Sequence, residues 1–477
     1  MKKLIVYNII SLIFISQTLA QSRVSGFVYD EVSGSPIENV AIFDNYNDKT
    51  FYSDLNGYFD FNVNKNSVEI IFYSEGYRVL IKNIESNSTS LIINLSSKVE
   101  ELNEVIVRAN RKKIFQIKRM KDYEGTYVYA GKKNEVILLE LSMANLASNN
   151  SRQIYNQIPG LNIYQNDDAG LQLNIGGRGL DPNRTSNFNT RQNDYDISAD
   201  ALGYPESYYT PPAEGLQEIQ ILRGAASLQY GTQFGGLINF IMKKPNYNKS
   251  LEVITRNTTG SNNLFTNFTS LSSTGKKVNY YGYVNYKKGN GFRDNSNFES
   301  TNTFHYLEYK INDKTLLSSE FTYLNYLAQQ AGGLSDEMFK KDHLQSNRAR
   351  NWFEVKWMMY NLKFKKEFSN NTNFSFSFFG LEAKRNSLGF RTNRVSQVDS
   401  GEERDLIKGD FSNFGIESRL LTKYSLLNKK SLFLVGMKYY NSNSSSVQGP
   451  GSNGLDANFS FQNSLYPNYN SQSNYNY

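Results

Sequence analysis

Hydrophobic and polar residues alternate in short runs along most of the chain. From Ser250 onward the alternation has period two. Its runs are Leu251 to Asn257, Phe265 to Leu271, Val278 to Tyr286, Thr303 to Ile311, Leu316 to Tyr323, Trp352 to Phe368, Phe374 to Glu382, Phe414 to Thr422 and Leu432 to Tyr440. Period two marks strands with one apolar face, and most of these runs approach the ~9–11 residues a tilted strand needs to cross a bilayer. Short turns (Thr274-Gly275-Lys276, Ile311-Asn312-Asp313-Lys314, Ser369-Asn370-Asn371) alternate with long polar loops, for example Gln329 to Asn351 and Gly389 to Asn413. Short turns on one side and long loops on the other are the pattern of a transmembrane β-barrel.

The first half of the chain reads differently. Between Gln21 and Ser97, runs such as Val24-Gly26-Val28, Tyr58 to Phe61 and Val68 to Tyr73 are separated by Gly/Asn/Asp turns, which predicts a small β-sandwich. Asp54 beside Asn56-Gly57 belongs to a plain turn, because the spacing of a twelve-residue calcium loop is missing. Residues 98–133 form a linker. It holds the alternating run Leu102-Asn103-Glu104-Val105-Ile106-Val107, then a basic stretch from Arg108 to Arg119. Such a run can be captured as an added strand by a partner's sheet, or it can close the preceding sandwich. Asn134 to Asn248 predicts a compact α+β unit, with helices at Val136 to Ala147 and Ser151 to Gln157 and strands at Leu161 to Tyr164 and Leu171 to Ile175. Its last part, Glu214 to Pro245, is a glycine-rich strand-turn-strand.

Composition narrows the chemistry. Met1 to Ala20 has a Lys2-Lys3 head, an apolar Leu4 to Ile15 and a small-residue cleavage site at Thr18-Leu19-Ala20, which predicts a secretory signal peptide. The 477 residues include no cysteine, and His305 and His343 lie apart, so thiol chemistry is excluded and no metal site is expected. Aromatics reach 14 % while mean hydropathy is −0.55, as expected where lipid-facing and lumen-facing positions alternate. The net charge of +7 is spread without a dense basic block, so no nucleic-acid partner is expected. No nucleophile–base pairing or phosphate loop stands out, so neither an enzyme nor a cofactor is expected.

Two groups of motifs carry resemblances. VSGFVYDEVSGSPIENVAIF, YSDLNGYFDF and IIFYSEGY resemble the carboxypeptidase regulatory-like domain, a non-catalytic sandwich. IPGLNIYQ, NIGGRGLDP and IQILRGAASLQYGTQFGGLINFIMKKP, in this order, resemble the plug domain of the TonB-dependent outer-membrane receptors. The resemblance implies a mainly β chain: signal peptide (1–20), sandwich (21–97), linker (98–133), α+β plug (134–248) and the first part of a transmembrane antiparallel barrel (249–477). Such a barrel is ~22-stranded when complete. With about nine or ten strands in view, the chain is expected to be the N-terminal part of a longer receptor.

The family also implies roles for residues. Leu102 to Val107 would be the TonB box, touched by a TonB-type energy-transducing protein of the periplasm. Arg178-Gly179 and Arg223-Gly224, with Gly231, Gly235 and Gly236, would lock the plug, the arginines pairing with wall glutamates among Glu308, Glu320 and Glu417. RQNDYDISADALGYPESYYTPP (Arg191 to Pro212) stands where many members have a hydrophobic-Asp-Gly strand, and such loops face the extracellular mouth in the family. This region looks more like the ferric dicitrate receptor branch. For an anionic ferric chelate the cationic donors would be Arg184, Arg191, Arg391 and Arg394. The implied function is TonB-coupled import of a ferric siderophore or ferric citrate-type chelate across the outer membrane, the chain contacting lipid. Two alternatives are a glycan-importing receptor partnered with a surface lipoprotein and an adhesive β-protein.

Overall fold

The structure is a computed structural model. It describes residues 22–476 apart from 32, 45–48, 64–66, 75–76, 78, 86–87, 97–116, 119, 130–133, 139–149, 151, 156–159, 166, 171–172, 178, 183–184, 186, 200–206, 224–228, 231–235, 393 and 467–469. The chain divides into two units, residues 1–111 and 112–477.

The first unit is a β-sandwich. β1 (Ser22–Asp30) lies between β4 (Tyr58–Val63) and β7 (Leu91–Leu95). The second sheet has the order β3 (Lys49–Tyr52), β2 (Ala41–Asp44), β5 (Ser67–Tyr73), β6 (Leu80–Glu85). Alternate residues Val24, Val28, Ile42, Phe59, Phe61, Ile70, Phe72 and Ile93 fill one core between the sheets, as two facing pleated sheets require. Asp54 Oδ1 accepts from the backbone N–H groups of Asn56 (2.9 Å) and Tyr58 (2.8 Å), which is the chemistry of a turn.

The second unit holds an inner domain and a wall. The inner domain is organised on a six-stranded sheet ordered β15 (Tyr195–Asp196), β14 (Phe188–Gln192), β17 (Gly236–Met242), β16 (Leu216–Leu222), β11 (Asn134–Leu138), β8 (Ile117–Lys118). Two hairpins accompany it, β9 (Tyr123–Glu124) with β10 (Tyr127–Val128) and β12 (Leu161–Gln165) with β13 (Leu173–Gly177). The helix expected from Val136 begins instead as strand β11, because residues 134–138 pair with β16 on one side and β8 on the other; residues 139–149 lie outside the described ones. The expected second helix is present as Arg152–Tyr155.

The wall is one antiparallel sheet of ten strands in chain order. They are β18 (Leu251–Thr259), β19 (Phe265–Thr274), β20 (Val278–Gly289), β21 (Phe298–Asn312), β22 (Thr315–Gln329), β23 (Trp352–Ser369), β24 (Thr372–Gly389), β25 (Arg404–Leu426), β26 (Lys429–Gly451) and β27 (Ser471–Asn476). Two-residue turns at 313–314, 370–371 and 427–428 lie on one side; loops 330–351, 390–403 and 452–470 lie on the other. β25 and β26 run for 23 residues each. They absorb Arg404 to Asn413, which the sequence places in a loop, and Asn441 to Gly451 beyond the expected end of the last run. The Ser/Asn-rich tail, beyond the last of the expected runs, forms β27 on Asn441 to Ser446. These polar residues pair because backbone hydrogen bonding, not side-chain hydrophobicity, makes the ladder.

The alternation sorts the wall's side chains. Residues such as Thr322, Lys363 and Glu417 face inward and are buried, while Phe321, Leu362, Phe376, Phe433, Val435 and Met437 face outward and are exposed. An exposed apolar outer face with a buried polar inner one inverts the soluble pattern and suits a sheet standing in lipid.

Candidate functional site

Where the inner domain meets the wall, charged side chains gather away from water. Asn193 and Asp194 form the two-residue turn joining β14 to β15, both with positive φ (45° and 77°). Asn and Asp tolerate that conformation through local hydrogen bonding. The turn is tied to its own sheet, Asn239 Nδ2 donating to Asp194 Oδ1 (2.9 Å) and the Met242 N–H donating to Asn193 Oδ1 (3.0 Å). It is tied to the wall as well: Asn193 Nδ2 donates to Glu320 Oε2 (2.9 Å) and Lys363 Nζ donates to Asp194 Oδ2 (3.1 Å). Burial pushes the Asp194 carboxyl up, but the Lys363 ammonium overcomes it and holds the group below its ordinary 3.8.

Arg191 is the centre of the contact, with a side chain only 1 % exposed. Its Nε donates to Asn189 Oδ1 (2.9 Å) and its Nη1 to the carbonyl of Asp194 (2.5 Å). Nη1 also lies 3.6 Å from Glu417 Oε2 on β25, and Nη2 lies 3.9 Å from Asp196 Oδ2. Glu417 is held in turn by Arg419 Nε, and Lys438 Nζ lies 3.9 Å from Asp196. Tyr127 and Tyr230 close the cluster. The Arg419 guanidinium sits 4.7 Å and 4.9 Å from their ring centres, Arg191 sits 4.6 Å from Tyr230, and Lys363 sits 5.1 Å from Tyr127. A guanidinium taken from water is held by fork-like hydrogen bonds and aromatic faces together. The β9–β10 hairpin that carries Tyr127 is fixed by Thr126 Oγ1 against Ser375 Oγ (2.6 Å).

The sequence-derived site residues fall out unevenly. Arg178, Arg184, Gly224, Gly231, Gly235 and the whole run Leu102 to Val107 lie outside the described residues. Gly179 has φ +78° and open space around its Cα, and Gly236 has φ +108° with the Leu222 carbonyl 2.3 Å from where a Cβ would stand. Arg223 is half-buried at the end of β16. Arg191, expected among ligand donors at the mouth, is instead buried against Glu417, and the polar stretch after it, expected to face outward, continues into the buried strand β15. The wall's inner face is polar, so Asn, Gln, Asp and Arg find partners there. Of the three glutamates, Glu417 meets Arg191, Glu320 meets Asn193, and Glu308 accepts from Tyr247, Asn279 and Tyr306. Asp194, Lys363, Arg419, Tyr127 and Tyr230 were missed; the Asn193-Asp194 pair between alternating runs is the turn signal that could have found the first of them.

On the long-loop side, four arginines fasten neighbouring loops. Arg293 donates to the carbonyls of Gly332 and Gln345 (2.8 Å each), and Arg348 to that of Gln397 (2.9 Å). Arg350 donates to Asp399 (Nε–Oδ2 2.8 Å) and to the carbonyls of Glu402 and Asn453, and Arg404 to those of Arg350 and Asp456. Asp168, in the turn between β12 and β13, accepts from the Phe292 N–H (2.9 Å). Arg391 and Arg394 lie exposed in loop 390–403.

Comparison with known proteins now applies. Residues 24–107 match the CarboxypepD_reg-like domain family, and residues 140–237 match the TonB-dependent Receptor Plug Domain family. A curated relative, the ferric enterobactin receptor PirA of Pseudomonas aeruginosa, is 30 % identical over 140 residues, which are 27 % of this chain and 17 % of that protein. Among solved structures, the unliganded ferric citrate transporter FecA superposes with a TM-score of 0.60 at 19 % identity, over 71 % of this chain and 51 % of that one. The ferripyoverdine receptor of the outer membrane of Pseudomonas aeruginosa gives 0.55 at 16 % identity, over 67 % and 43 %. The chain thus spans about half or less of the length of these proteins. It consists of a CarboxypepD_reg-like domain, the plug domain of the TonB-dependent receptors and a ten-stranded sheet with those receptors' barrel fold.

Proposed function

We propose that this chain is part of an outer-membrane receptor, not an enzyme, which imports a ferric siderophore or ferric citrate-type chelate under TonB coupling. The observation that carries the reading is the fastening of the plug to the wall through Arg191, Asp194, Lys363 and Glu417. A plug held by a compact charge cluster can be released by a shift of a few ångströms, because ion pairs and hydrogen bonds are lost over short distances. The names of PirA, FecA and the ferripyoverdine receptor each mention a ferric ligand, which supports the ligand class; a copper transporter, OprC, shares the fold as well.

In this reading a signal peptide, Met1 to Ala20, directs export. Leu102 to Val107 is the box that a TonB-type periplasmic protein takes up by strand addition. Arg391 and Arg394, with Arg184, meet an anionic chelate, and Arg191 serves the lock. Arg178-Gly179 and Arg223-Gly224 position the turns of the plug. A glycan ligand remains the second reading because the CarboxypepD_reg-like domain precedes the plug.

A deletion strain carrying the full-length gene, grown on ferric citrate, on other ferric chelates or on glycans as the limiting nutrient, tests this. Growth on one ferric chelate that disappears when residues 102–107 are deleted is the expected result. Growth that depends on the gene only with glycans would transfer the function to the second reading.

A further inference from the structure

The side of the wall that carries the short turns is lined with lysine. Residues 274–278, 309–315, 364–373 and 422–431, the four turns with their strand ends, hold nine lysines, two carboxylates (Asp313 and Glu367) and no arginine. Lys276 and Lys277 stand in the β19–β20 turn, Lys310 and Lys314 flank the β21–β22 turn, and Lys429 and Lys430 follow the β25–β26 turn. These six are all exposed. Among the described residues no carboxylate lies within ion-pair distance of any of them; Lys310 sits 5.1 Å from the Tyr247 ring instead. The long-loop side mixes its signs, with Asp336, Glu337, Lys340, Lys341 and Asp342 together in one loop.

The lysines begin where an apolar row ends. Val278, Tyr309, Leu317, Phe364 and Phe376 are register partners across β20 to β24, all on the outward face. Lys277 precedes Val278 by one residue on the turn side, Lys310 is one beyond Tyr309, and Lys314 is three before Leu317. A lysine so placed can lay its carbon stem along the apolar row and keep its ammonium in water. Successive turns on this side stand two strand spacings apart, roughly 10 Å. That is about one Debye length at 0.1 M salt, so neighbouring turns add to one positive field. The charge is drawn out along a rim and not gathered in a patch, which fits a partner that is itself a continuous surface.

We propose that these turn lysines bind anionic phosphate headgroups of the lipid leaflet on the short-turn side. An ammonium meets phosphate as a point charge on a flexible stem, which suits a fluid partner. Hydrocarbon covers the apolar row, and the headgroups meet the charges immediately beyond it. Lipids with net negative headgroups therefore collect at this rim ahead of zwitterionic ones. The inference rests on the reading of the sheet as membrane-embedded.

The full-length receptor is exchanged into detergent holding equal amounts of phosphatidylglycerol and phosphatidylethanolamine, and the lipid that co-purifies is quantified. The expected result is several-fold enrichment of phosphatidylglycerol, falling toward parity after a wash in ~1 M salt, where the Debye length is about 3 Å. Lys276→Gln, Lys277→Gln, Lys310→Gln and Lys314→Gln in one chain should also bring the ratio toward parity. Lys340→Gln with Lys341→Gln, on the long-loop side, should leave it unchanged. Folding of each variant is checked by its heat-dependent gel mobility. A folded wild-type receptor that retains both lipids equally, or a folded fourfold variant that keeps the preference, overturns the proposal. Loss of an acidic periplasmic protein from the fourfold variant, with no lipid preference in the wild type, overturns it in favour of a protein partner. Failure of the wild-type receptor to enter lipid vesicles overturns instead the membrane reading beneath it.

Discussion

Arg191→Ala tests the plug fastening most directly. The substitution removes the guanidinium that bonds Asn189 and the Asp194 carbonyl and faces Glu417, in a site with 1 % exposure at the arginine. Breaking a buried ion pair from one side costs about 3–5 kcal/mol, because the remaining charge is left uncompensated. Glu417 keeps Arg419 in this variant, so the loss should fall at the low end, about 3 kcal/mol. Glu417→Ala takes a carboxylate from two arginines at once, Arg191, which keeps Asp196 at 3.9 Å, and Arg419, so it should cost more than Arg191→Ala, toward about 5 kcal/mol. The readout is amide hydrogen exchange of the 188–196 segment in the full-length receptor. A loss of 3 kcal/mol speeds opening-limited exchange on the order of a hundredfold. Arg191→Lys should rescue little, since a single ammonium cannot serve Asn189, the Asp194 carbonyl and Glu417 at once. If Arg191→Ala leaves exchange unchanged while Arg223→Ala accelerates it, the lock assignment is wrong and the arginine at the end of β16 holds the plug.

Other predictions concern separate parts of the chain. Lys363→Met should loosen the Asn193-Asp194 turn but spare the sandwich, seen as new protease cleavage confined to the second unit. Tyr127→Ala removes the ring facing Arg419 and Lys363 and should destabilise docking of the β9–β10 hairpin by roughly 3 kcal/mol, measured by exchange of residues 120–129. Gly236→Ala places a Cβ 2.3 Å from the Leu222 carbonyl at φ +108°, so the variant should fold poorly and lower receptor abundance in the membrane. The Arg350 guanidinium holds the Asp399 carboxyl below its ordinary 3.8. A depressed carboxyl stabilises the folded form fully above its unfolded value and loses that contribution as pH falls through the folded one. Protection of loop 390–403, taken relative to the intrinsic amide exchange rate at each pH, should therefore be flat from neutral pH to about 5, fall only below about 4, and lose that acid dependence in Asp399→Asn.

The regular parts of the fold were legible because their signals are local. Period-two runs located nearly every wall strand, and Gly/Asn/Asp turns located the sandwich. Where the reading failed, one cause recurs. Arg191 to Asp196, the Arg404 to Asn413 stretch and the Ser/Asn-rich tail are polar, and polar segments read as loops. Inside a polar-lined wall such residues are satisfied by neighbours distant in sequence, Glu417 and Lys363 among them, and no local pattern announces a partner more than a hundred residues away. The strand at residues 134–138 illustrates the same rule from the other direction: a run with helical spacing was claimed by the edges of β16 and β8.

The length of β25 and β26 sets how far this flank of the wall reaches. At ~3.3 Å per residue, 23 residues reach roughly 75 Å along the strand. A tilt near 45° turns that into a height of about 53 Å, about twice the ~25 Å apolar band of an outer-membrane barrel. In a membrane-standing barrel this flank would overtop the headgroups, and its long-loop end is tied by Arg350 and Arg404. Under the proposed function, a chelate arriving on this side would first meet a rim that stands clear of the lipid surface.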